Sequence, residues 1–149
     1  MLVITSSAVL ERTMGHKINW DNEDRTVVLQ QYTDAGSKDD LYRLAQESAQ
    51  ILNAVEHTVH LIIDERNMRY FLNPTDMSYL EELTPKNQGA VVVVIPAGKV
   101  GYKSSIQRIG HGIAPNAFAE PYFAESVKEA RTFLHETFGV RYSSETSEA

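Results

Sequence analysis

The chain contains no cysteine, which excludes thiol nucleophiles, disulfides and thiolate metal sites. It also lacks a surplus of positive charge. Fourteen Lys and Arg stand against 20 Asp and Glu, for a formal net charge of −6. Holding nucleic acid by its phosphates takes a dense field of basic side chains, so no nucleic-acid partner is expected. Attachment to an anionic membrane surface is disfavoured on the same ground. The longest strongly apolar run, Ala90 to Ile95, falls far short of the roughly 20 residues that cross a bilayer, so no membrane insertion is expected. Met1 to Leu10 has neither a basic start nor a long apolar centre and does not read as a signal peptide. The expected location is cytoplasmic.

Catalytic signatures are missing too. There is no Gly-x-Ser-x-Gly elbow. The stretch Gly98-Lys99-Val100-Gly101-Tyr102-Lys103-Ser104-Ser105 has valine after its first lysine, where a phosphate-binding loop needs serine or threonine. It reads instead as a helix start with Lys99 and Lys103 on one exposed face. His57 and His60 lie three apart, a spacing that points to opposite faces of a strand, and His16, His111 and His135 show no metal-ligand spacing. No catalytic residue, cofactor or metal is expected.

What is present is an ordinary globular composition, with 42% hydrophobic and 23% charged residues. At 149 residues it suits a single domain that needs no staple to hold a core. The first signal is a hairpin: Lys17 to Trp20 alternates, Asp21 to Asp24 supplies a turn, and Thr26 to Tyr32 is rich in β-formers. Trp20, Val27 and Leu29 are expected to share its buried face. Ser37 then caps a helix of about four turns, with Leu41, Leu44, Ala45, Ser48, Leu52 and Val55 at helical spacing. Thr58 to Asp64 reads as a strand. Asn73-Pro74-Thr75-Asp76 opens a second helix with Asn as cap and Pro at its first position, and Thr84-Pro85 closes it. Ala90 to Ile95 suits a strand buried on both faces. A third helix is expected over 98–109 and a short edge strand within 118–123, where Pro121 marks the edge. The last helix has Ser126 and Glu129 as a capping box and Gly139 as its stop.

The order β-β-α-β-α-β-α-β-α predicts an α/β fold with a mixed, mostly parallel sheet. Residues 1–15 are assigned to an arm or edge strand, 16–139 to the domain, and 140–149 to a flexible tail. The pattern resembles the STAS domain of anti-sigma-factor antagonists and sulfate-transporter tails, and above all its small stand-alone relatives. The resemblance is carried by 58–64 (T-V-H-L-I-I-D), the helix start at Asn73, the Ala90–Ile95 strand and 123–130 (F-A-E-S-V-K-E-A). It implies a regulatory module that works by binding. In the antagonists a phosphorylatable serine sits in an Asp-Ser-Ser-Gly stretch opening the second helix. Here that stretch reads Leu72-Asn73-Pro74-Thr75, and Thr75 and Ser78 are the nearby hydroxyls.

Ligands of open α/β sheets bind beyond the carboxyl ends of the strands, and a helix N-terminus favours anions. Asp64, Arg66, Asn73, Thr75 and Ser78 are therefore the candidate ligand- or partner-binding residues. Tyr70, Phe71 and Tyr102 would mark an interface if they cluster at the surface. The expected function is a non-enzymatic regulatory or protein-interaction domain, with a small-molecule or lipid-binding domain as the alternative. A protein partner or a small ligand is implied, and self-association stays open.

Overall fold

A computed structural model describes residues 15–33, 37–68 and 72–143. Within them the elements run β1 (His16–Trp20), β2 (Val27–Tyr32), α1 (Lys38–Asn53), β3 (Val59–Asp64), α2 (Pro74–Leu83), β4 (Gln88–Val94), a 3-10 turn (Ala97–Lys99), α3 (Val100–Ile113), β5 (Tyr122–Ala124) and α4 (Val127–Phe138). The five strands lie side by side in chain order. β1 is antiparallel to β2, and every later pairing is parallel. The fold is α/β, as the alternation of segments implied.

Three successive crossovers step in one direction across the sheet, and the right-handed rule puts all three helices on the same side. The packing agrees. Leu52 of α1 is buried with Val28, Val59 and Leu61 on one face. Ala130 and Leu134 of α4 cover the other, against Val27, Leu29, Ile62, Val92 and Val94. Each fully buried Val, Leu or Ile among them contributes about 1.5–3 kcal/mol. Trp20 corrects one expectation. It lies opposite Val28 in the hairpin register and packs with Val28 rather than with Val27 and Leu29, because antiparallel partners point to the same face.

The helix boundaries follow from their caps. Ser37 with Asp40, and Asn73 with Asp76, each form a full reciprocal capping box. Ser126 accepts a bond from the Glu129 N–H, but no return bond from Glu129 is formed, so the box expected there is half made. α3 has no side-chain cap and carries three glycines. Gly110 is required by close approach: a Cβ there would sit 2.5 Å from the Phe118 ring. Phe118 precedes the last strand rather than starting it and packs with Met77 and Ala114.

The tail boundary also moves. Gly139 turns the chain in the left-handed region at φ 69°, and Val140 then enters the core beside Leu134. Tyr142 donates to Asp21 at 2.8 Å, and Arg131 grips the same carboxylate at 2.7 and 3.0 Å. Burial, and after it the Asp21 charge, pushes the Tyr142 hydroxyl pKa well above its usual value. The packed domain therefore reaches Tyr142. Residues 1–14, which hold most of the proposed arm, and 144–149 lie outside the described residues. No helix among the described residues is long and apolar enough to cross a membrane.

Candidate functional site

Alternate residues of the central strands look toward α1, α2 and α3. These are Gln30 and Tyr32 of β2, Leu61 and Ile63 of β3, and Val91 and Val93 of β4, and all six line a cavity of about 130 Å³ beneath the helices. The cavity has two causes in the sequence. Opposite the strands α1 offers small side chains, Ala45, Ser48 and Ala49. α3 meanwhile packs on α2 through Ile106, Met77, Leu80 and the Ala114–Phe118 turn, a cluster that contains no strand residue. It bridges over the sheet instead of lying on it. Leu41, Ile63, Leu80 and Val91 stay half-buried because part of their surface faces this space.

The lining is mainly apolar, with polar groups from Gln30, Ser48, Thr84, Gln88, Lys103, Glu65 and Gln107 among it. The Gln30 amide donates to the Ser48 hydroxyl at 3.1 Å, and Gln30 is 7% exposed. Its carbonyl oxygen takes no hydrogen bond among the described residues, which leaves an acceptor in the wall. At the carboxyl end of β3, Lys103 meets Glu65 at 2.8 Å with both side chains largely shielded. Lys103 was expected on an exposed face with Lys99. It turns inward because Glu65 lies at the cavity wall, and only Lys99 is exposed. A mostly apolar pocket with a few converging polar groups is the usual form of a small-molecule site.

The five residues singled out in the sequence lie elsewhere. Asp64 ends β3, and two residues earlier Ile62 belongs to the α4 cluster; by strand alternation Asp64 shares that side, away from the cavity. Its carboxylate accepts two bonds from the Arg66 side chain at 2.7 and 2.8 Å, and one from Gln31 at 3.4 Å. Burial alone would raise the Asp64 pKa, but Arg66 outweighs it and holds the group below the usual carboxylate range.

Asn73, Thr75 and Ser78 are exposed at the start of α2. That helix end already holds an anion of its own. Asp76, 2% exposed, accepts from the Asn73 N–H at 3.0 Å, from Lys38 at 3.0 Å and from the Tyr42 hydroxyl. Burial works to raise its pKa; these bonds prevail and keep it ionised below the usual range. None of the five residues lines the cavity, although Glu65, Met68 and Leu72 from the same two loops do. Tyr70 and Phe71 lie outside the described residues, and Tyr102 is 52% exposed.

Two of the histidines make bonds inside the fold. His60 accepts the Ala90 N–H at 2.9 Å, and burial lowers its pKa. His16 is paired at 2.7 Å with the buried Asp40. No group of three metal-ligating side chains occurs among the described residues. Sequence reasoning missed Gln30, Ser48, Val91, Val93 and Gln107 as site residues. Their only advance signal was a glutamine at an inward position of β2, facing small residues on α1. Compared with protein-family models, curated proteins and solved structures, the chain matches none of them.

Proposed function

We propose that this domain binds a small, mostly apolar molecule in the space between its sheet and α1–α3, without catalysing a reaction on it. The cavity carries the reading. The space is half open to solvent, and its volume is close to that of an apolar cavity of about 150 Å³ known to take up benzene. Here the polar groups sit where they would orient a guest: Gln30 and Ser48 along one wall, Lys103 and Glu65 at one end.

Thermal unfolding tests it. A bound ligand at one hundred times its Kd stabilises a fold by about 2.7 kcal/mol. 1-Decanol should therefore raise the Tm of the wild type, and Ala45→Leu, which fills the space from α1, should remove that rise. No rise in the wild type, or an equal rise in the filled variant, contradicts the reading.

A second reading is a STAS-like regulatory module that acts in the cytoplasm through a protein partner. Its support is α3, which among the described residues holds three of the five large apolar side chains exposed at the surface: Tyr102, Ile109 and Ile113. Under it, Ile109→Lys with Ile113→Lys should abolish capture of a partner that the wild type retains from native lysate. Capture unchanged by both substitutions counts against it.

A further inference from the structure

The cavity has a neighbour. Beside it, between α3 and the segment leading into β5, is a more open pocket of about 330 Å³ lined by Ser104, Arg108, His111, Glu120 and Phe123. Gln107, Phe118 and Pro121 line both spaces and so form the partition between them. At the partition the Gln107 amide donates to the carbonyls of Phe118 at 2.7 Å and Ala119 at 3.1 Å. Together the two spaces reach the roughly 300–1,000 Å³ of small-molecule sites.

Their chemistry differs. The inner space is mainly apolar, and the cation in its lining, Lys103, is neutralised by Glu65. The outer pocket holds Arg108, exposed on α3 and in no ion pair among the described residues. Ser104 lies one turn before it on the same helix face. His111 faces the loop, with Nδ1 donating to the Phe118 carbonyl at 3.2 Å, and so holds the pocket's wall. α3 carries no acidic residue at all, in a chain whose net charge is −6. Among the described residues the outer pocket has one carboxylate, Glu120.

We infer that the ligand is a single-chain amphiphile with an anionic head, a carboxylate or a phosphate. Its chain occupies the apolar cavity, its neck passes the Gln107 partition, and its head lies against Arg108 and Ser104. This rests on the reading of the cavity as a ligand site and adds the polarity and direction of the guest. A guanidinium beside an anionic oxygen makes a charge-assisted hydrogen bond, whereas an alcohol head of the same chain length gains little from it.

Displacement of a fluorescent apolar probe by decanoate, decyl phosphate, 1-decanol and acetate separates the parts. Decanoate and decyl phosphate should bind the wild type about tenfold more tightly than 1-decanol, the worth of one charge-assisted bond, and acetate alone should displace nothing. Arg108→Gln should bring both anions down to the affinity of the alcohol, while Glu120→Gln should tighten them. Equal binding of alcohol and anions in the wild type, or an Arg108→Gln effect on all three alike, overturns the inference and leaves the cavity reading intact. Arg108-dependent binding of acetate alone also overturns it, by making the outer pocket a separate anion site. Failure of every chain compound to displace the probe overturns both.

Discussion

Lys103 of α3 and Glu65, the residue after β3, meet at 2.8 Å with 13% and 14% of their side chains exposed. α3 otherwise leans on α2 and on its own C-terminal turn, so this pair is its polar tie to the sheet across the cavity. A shielded pair of this kind costs more to break than one open to solvent.

Lys103→Met should therefore loosen α3 more than the rest of the fold. Hydrogen exchange is expected to quicken at amides of 100–113 while those of β2 and β3 hold their protection. Global stability should fall by about 1.5–3 kcal/mol, the range for a hydrogen bond to a charged group. Uniform exchange across the domain would show that the pair does not secure α3 in particular.

Arg131 is the partner of a buried carboxylate, since the Asp21 side chain is 3% exposed. Removing one member of such a pair leaves an uncompensated charge, at a cost of about 3–5 kcal/mol. Arg131→Met should lower stability by that amount in urea unfolding. Truncation after Gly139 should also destabilise, because it removes Val140 from the core and the Tyr142 bond to Asp21. A truncated chain as stable as the full one would restore the boundary at 139.

His60 predicts a pH dependence. Its folded pKa is depressed by burial, and its neutral ring accepts the Ala90 N–H. Between the folded pKa and the unfolded value of about 6.5 the unfolded chain binds more protons, so stability rises with pH there. The contribution is present above pH 6.5 and is lost as pH falls through that window. His60→Gln should flatten the slope in unfolding free energy between pH 7 and pH 5. A slope unchanged by the substitution contradicts the assignment.

The cap of α2 makes a simpler case. Asn73→Ala removes the acceptor for the Asp76 N–H and should cost about 1 kcal/mol. Because that helix end is filled by Asp76, the variant should bind 1-decanol as the wild type does. Lost binding would mean that the α2 start contributes to the site after all.

Much of this architecture was legible in the residues. Caps such as Ser37 and Asn73, the Pro74 start and the Gly139 stop act within a few residues of themselves, so local chemistry reveals them. The strands from Thr58 and Ala90 were legible because β-branched runs suit few other environments. The cavity was not, because it depends on which elements face each other across the sheet. Ala45, Val91 and Gln107 are far apart in the chain, and each alone looks like ordinary core or surface. Asp64 was correctly placed at a strand end, but strand alternation turns it to the α4 face while its neighbour Glu65 reaches the cavity. Gly110 was unremarkable until the Phe118 ring appeared against it.

Methyl NMR in the presence of benzene tests the central claim most directly, because the sheet carries its own control. Ile63, Val91 and Val93 line the cavity, while Ile62, Val92 and Val94 point to α4. Benzene occupying the proposed site should shift the first three methyl sets in a saturable way and leave the second three in place. Equal shifts on both faces, or none on either, would contradict a ligand site beneath α1–α3.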